Sequence, residues 1–160
     1  LEKMSRRLFQ PPNIYIYRNL GYQPRIFLVD TIKIHATSED LYDELGRSTV
    51  ESLSQSVLIN KSFAHQAQSI LGSRGRNVIQ NYDGESPGTS VMNVEEYSPD
   101  SIKVSVSLEY PRMLIVTNNY SPFWKAYVNN VDTAIIPAYG TFWGVVLPEG
   151  HHQVVFHYEP

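Results

Sequence analysis

Tyr120, Phe123, Trp124 and Tyr127 crowd into the short segment YSPFWKAYVNN (Tyr120–Asn130), beside Pro122 and Lys125. Tyr139, Phe142 and Trp143 follow soon after. Flat rings suit one kind of recognition. The apolar face of a pyranose stacks on them, while polar neighbours take hydrogen bonds at the sugar's edge. Tyr120, Phe123, Lys125, Tyr127 and Tyr139 are the ligand-binding candidates on this argument. The competing reading is structural, because tryptophan is highly buried on average. Alternation puts Trp124 on one face with Ala126 and Val128, and Trp143 with Val145 and Leu147, so both tryptophans are expected in a core. Lys125 and Tyr127 fall on the opposite, wet face.

Other chemistry finds little support. The chain has no Gly-x-Ser-x-Gly nucleophile elbow, no phosphate loop and no dinucleotide fingerprint. GSRGRN (Gly72–Asn77) lacks the strand-then-helix context and reads as a turn. His151 and His157 share a strand face but lie about 20 Å apart by strand rise, too far to hold one metal. His35 and His65 are isolated in the sequence. Glu39, Asp40, Asp43 and Glu44 read as the start and wet face of a helix. No pair held across a cleft, as a glycosidase needs, is visible. No catalytic residue, metal or cofactor is assigned.

Those residues sit in 160 positions with a formal net charge of -3, enough for one domain with one core. The charge argues against a nucleic-acid partner. The chain has no cysteine, which excludes disulfides and thiolate metal sites. No run approaches the ~20 apolar residues of a membrane span.

Period-two alternation dominates the second half. Ile102, Val104, Val106 and Leu108 form one face of a half-buried strand. RMLIVT (Arg112–Thr117) is continuously apolar, as a strand covered on both faces would be. Asn129–Asn130 supplies the positive φ angles of a tight hairpin, from which VDTAIIP returns as one partner strand. TFWGVVLPEG and HHQVVFHYEP complete a set of six strands. In the first half NIYIY and RIFLVDTIKIH read as strands, Ser38–Gly46 as a helix capped by Ser38, and SVLIN as a short strand. Ala64, Ala67, Ile70 and Leu71 fit a second helix, and Asp83–Ser90 is turn-rich. The fold expected is mainly β: an antiparallel β-sandwich of jelly-roll or carbohydrate-binding-like type, with one or two short helices.

The segment from Ile115 to Pro160 resembles the end of the large extracytoplasmic domain of bacterial YfhO-like membrane proteins, which group with polytopic GT-C type glycosyltransferases. The likeness rests on Tyr120, Pro122, Trp124, Ala126, Val128, Phe142, Val146, Pro148, Gly150, His151, Val154, Phe156, Tyr158 and Pro160. Two weaker segments agree in order: Asn19, Pro24, Arg25 and Val29, then Tyr97, Pro99, Ile102 and Val106. Phe123 stands where the family has glycine, and Asn129–Asn130 where it has Asp-Gly. Lys61–Ser90 matches nothing in the pattern. The resemblance implies structural roles for Pro24, Arg25, Pro122, Trp124, Gly150 and Tyr158. It implies a piece of a larger polytopic membrane protein, tethered outside the cytoplasm, with a membrane helix after Pro160. It further implies a non-catalytic accessory domain that positions glycan or lipid-linked sugar, the catalytic loops lying elsewhere in the parent glycosyltransferase. The alternative is a structural or protein-interaction sandwich with no ligand.

Overall fold

A computed structural model describes residues 5–9, 15–19, 22–71 and 90–160. The sandwich begins at a strand that the alternation made plain. β7 (Ser101–Leu108) buries every second side chain, so one of its faces meets the core and the other meets water. It sits inside an antiparallel sheet of order β10-β9-β13-β7-β6. The partners are β6 (Val91–Tyr97), β9 (Trp124–Val128), β10 (Val131–Thr133) and β13 (Gly150–Tyr158).

The second sheet, also antiparallel, has the order β11-β12-β8-β3. It consists of β3 (Ile26–Val29), β8 (Arg112–Val116), β11 (Ile136–Ala138) and β12 (Phe142–Leu147). Apart from Arg112 at the start of β8, its strands are apolar because both of its faces are covered. Leu114, Val116, Trp143, Val145 and Leu147 point at the five-stranded sheet. Met113, Ile115 and Val146 point the other way, into a separate core.

That separate core is closed by a layer the sequence reading did not foresee. β4 (Thr31–His35) and β5 (Ser56–Asn60) pair in parallel. A parallel pair needs a crossover, here α1 (Ser38–Arg47) and α2 (Val50–Gln55). With α3 (Ala64–Leu71) the described residues hold three short helices rather than one or two. Ile32, Leu41, Leu58, Ile59 and Ala67 pack from this layer. A main-chain bond from Tyr139 N–H to Leu58 O, 2.8 Å, ties it to the end of β11. The architecture is therefore an antiparallel sandwich with a third, α/β layer on one side.

Further corrections are local. RIFLVDTIKIH is two strands that part at Asp30, where the Arg112 guanidinium and the Tyr110 hydroxyl both bind the carboxylate. NIYIY falls partly outside the described residues; its described end, Ile16–Tyr17, opens β2 (Ile16–Asn19), paired with β1 (Ser5–Phe9). VDTAIIP is not one returning strand, since β10 stays with β9 while β11 crosses to the other sheet. The hairpin turn itself is as expected, with φ of 50° at Asn129 and 66° at Asn130. Gly72–Asn77 lies outside the described residues, as does nearly all of Asp83–Ser90.

Candidate functional site

The aromatic residues of Tyr120–Tyr127 do not share one surface. Trp124 packs at a tilt on buried Trp143 with ring centroids 4.5 Å apart, and Trp143 continues to Phe156 at 5.5 Å. Trp143 Nε1–H donates to Asn119 O at 2.9 Å, which satisfies the one polar atom the indole buries. Tyr158 packs on Trp124 at 5.5 Å, and half-exposed Phe123 meets Tyr158 edge-on at 6.1 Å. Phe123, Tyr158, Trp124, Trp143 and Phe156 thus form a single column running from the surface into the inter-sheet core. Pro122 is exposed in the loop that leads into it.

Lys125 and Tyr127 lie on the wet face of the five-stranded sheet. Lys125 is exposed opposite His157. The Tyr127 hydroxyl donates to Glu159 Oε1 at 2.9 Å, and this bond to a carboxylate holds the phenol's proton, raising its pKa. On the same face Asn93, Ser105, Gln153 and Asn129 edge a shallow hollow of about 410 Å³ that Val91 and Val106 also line. It offers hydrogen bonds, and its rings are the imidazoles of His151 and His152, with no tyrosine, phenylalanine or tryptophan. Asn129 also fixes the neighbouring turn: its Oδ1 accepts from Gln153 N–H at 2.9 Å. His152 Nε2 lies 2.9 Å from Pro148 O, so it must carry the hydrogen, and Nδ1 is then the acceptor for Asn129 Nδ2. Gly150 closes that turn with φ of 119°.

Tyr139 is no part of a platform. It is 5% exposed, and its hydroxyl donates to Leu53 O at 2.6 Å with Ser56 O at 3.2 Å. Burial pushes its pKa well up, because the phenolate would lose water and meet only carbonyl oxygens. The residue fastens α2 to the sheet.

Of the expected ligand residues, Tyr139 borders only an apolar hollow, and Tyr120 lines a cleft with a polar edge. Tyr120 is 44% exposed, and its backbone N–H binds Thr141 O at 2.6 Å. The cleft, about 370 Å³, is walled by Tyr42, Phe63, Tyr120 and Pro137. Ser38, Asn60 and Ser62 form its polar edge. Sequence reasoning missed Tyr42, Phe63 and Asn60, which come from the third layer. The Tyr42 ring rests on Gly140: a Cβ built there would stand 2.7 Å from its Cε1. The φ of 82° at Gly140 also favours glycine. One local signal could have revealed the polar edge. The cap of α1 is Thr37 and not Ser38: Thr37 Oγ1 accepts Asp40 N–H at 3.1 Å. Ser38 is thereby left to accept from Asn60 Nδ2 at 3.3 Å at the rim of the cleft.

Compared with known proteins, the chain matches no family model, no curated protein and no solved structure.

A second hollow, about 310 Å³, lies between α1, α2 and the four-stranded sheet. Phe27, Leu45, Val50, Leu53 and Phe142 make it almost wholly apolar, so it lacks the donors and acceptors that fix a sugar's orientation. Among the described residues no group of three His, Asp or Glu side chains could hold a metal ion, and no helix is long and apolar enough to cross a membrane. His35 is not isolated in space: its Nε2 lies 3.1 Å from Glu44 Oε2, while Lys33 Nζ takes Glu44 Oε1 at 2.8 Å. The Glu44 pKa is depressed, chiefly by the hydrogen bond from Lys33, whose charge adds to the effect.

Proposed function

We propose that this chain is a non-catalytic accessory domain that binds glycan through the Tyr42–Phe63–Tyr120 cleft. The observation carrying this reading is the pairing of ring walls with a neutral polar edge. Two exposed tyrosines and Phe63 supply stacking faces, and Ser38, Asn60 and Ser62 supply hydroxyl and amide groups at the rim. No carboxylate lines the cleft, so the chemistry supported is holding and not hydrolysis. The wider setting rests on the resemblance alone. On that reading the domain is carried outside the cytoplasm by a YfhO-like, glycosyltransferase-like membrane protein, and the bound sugar is an acceptor glycan or a lipid-linked sugar.

A second reading is favoured by the aromatic column. Phe123, Trp124, Trp143, Phe156 and Tyr158 pack on one another, as a purely structural sandwich would use them. A titration separates the two. A panel of neutral cell-envelope oligosaccharides is added to the purified chain, followed by tyrosine fluorescence and NMR shifts. Saturable binding is expected, lost in Tyr120→Ala and in Tyr42→Ala with an unchanged melting curve, and retained in Tyr127→Ala. Stacking losses of ~1 kcal/mol or more correspond to at least about fivefold in affinity. A flat response across the panel overturns the glycan reading in favour of the structural one.

A further inference from the structure

A separate hollow opens where the outermost strands of the two sheets face each other. β3 ends the four-stranded sheet and β6 ends the five-stranded one. Between them lies a depression of about 340 Å³ that shares no residue with the Tyr120 cleft. Tyr22, Pro24, Ile26, Met92, Val94 and Tyr97 give it apolar and aromatic walls, and Arg25 is its only charged group.

The position of Arg25 is fixed from two sides. Its carbonyl accepts Thr117 N–H at 2.9 Å, extending the β3–β8 ladder by one rung. Its Nη1–H donates to the Tyr97 hydroxyl at 3.3 Å, which in turn donates to Asn118 Oδ1 at 3.2 Å. Both partners are neutral. Among the described residues no carboxylate pairs with Arg25. The acidic groups on β6 are engaged elsewhere: Glu95 pairs with Lys103 at 3.3 Å, and Glu96 Oε1 accepts from Ser98 at 3.5 Å. The guanidinium is therefore oriented without being neutralised. A guanidinium carries several N–H donors in a planar fork that matches an oxyanion, and Tyr97 occupies one of them.

We propose that this hollow binds a phosphate or carboxylate carried on a ring-shaped group. Arg25 grips the oxyanion, and Tyr22 and Tyr97 offer stacking faces to the ring. Tyr97 is a positioning residue as well, since its hydroxyl aims the guanidinium. The site does not depend on the glycan reading of the other cleft.

The test is a titration of the whole chain with phenyl phosphate, using benzoate, inorganic phosphate and neutral phenyl β-glucoside as comparisons, read by NMR shifts and calorimetry. Phenyl phosphate and benzoate should bind saturably, inorganic phosphate more weakly, and affinity should fall as salt is added. Arg25→Gln should weaken binding about tenfold or more, the scale of a charge-assisted bond. Arg25→Lys keeps the charge and loses the fork, so its affinity should fall between the two. Tyr97→Phe should weaken phenyl phosphate several-fold with little change for the neutral glucoside. If Arg25→Gln also lowers the melting temperature, the Lys variant and the salt dependence of the unmodified chain decide. No binding in the millimolar range, unchanged affinity in Arg25→Gln, or equal affinity for the neutral glucoside each overturns the proposal.

Discussion

At the scale of single residues, Tyr139 shows how one polar atom can govern a junction. Its ring fills the core beneath α2, and its hydroxyl reaches carbonyls at Leu53 and Ser56 that have turned away from water. In Tyr139→Phe the Leu53 carbonyl loses its donor, which should cost about 1–3 kcal/mol in a urea unfolding curve. The same residue sets an alkaline limit. Its folded pKa is raised, so its contribution is fully present below the unfolded phenol value of about 10 and is lost as pH rises beyond it. The unmodified protein should lose stability above that pH more steeply than Tyr139→Phe does. Equal slopes would mean the phenol is not buried. The sequence marked Tyr139 as one more aromatic near Trp143. Its burial was not legible there, because the layer that covers it comes from residues some eighty positions earlier in the chain.

Among the elements, the turn of the β9–β10 hairpin is where sequence and structure agree closely. Asn129 and Asn130 both take positive φ, a region asparagine tolerates better than branched residues do. Asn130→Val should destabilise by about 1–2 kcal/mol, the ordinary cost of a side chain forced into that region. Asn130→Gly should be neutral or slightly stabilising in the same thermal melts. Asn129 is the less replaceable of the two, because its Oδ1 also accepts Gln153 N–H. A stable Asn130→Val variant would show that the turn has another shape. The helix α1 teaches the opposite lesson. Its existence was plain from Leu41, Leu45 and the acidic first turn, but its cap was misplaced by one residue. Ser and Thr are both good caps, and only the hydrogen bond to Asp40 separates Thr37 from Ser38. That single step decides whether Ser38 is spent on the helix or turned to Asn60 at the rim of the cleft.

For the whole molecule, the four-stranded sheet is the shared wall of two cores. Met113 and Leu114 are neighbours in sequence yet serve opposite cores. Loosening either side should therefore unfold the other. Ile59 belongs to the third layer, while both tryptophans belong to the inter-sheet core. Ile59→Ala should cost about 2–5 kcal/mol. It should lower the midpoint seen by tryptophan fluorescence as much as the midpoint seen by far-ultraviolet circular dichroism. Two separate transitions would show that the α/β layer unfolds independently.

By itself the sequence determined what depends on near neighbours. Strict alternation gave β7 a wet face, an unbroken apolar run put β8 under cover on both sides, and Asn-Asn placed a turn. These follow from strand periodicity and local backbone preference, which act over a few residues. Only the tertiary structure decided which aromatics share a surface. Tyr120 and Phe123 are close in the chain, yet one joins Tyr42 and Phe63 in a cleft while the other caps the column of Tyr158, Trp124 and Trp143. The difference arises because β4–α1–α2–β5 folds back over the sheet. Contacts between such distant segments are set by the burial of whole faces, and no local pattern encodes their partners.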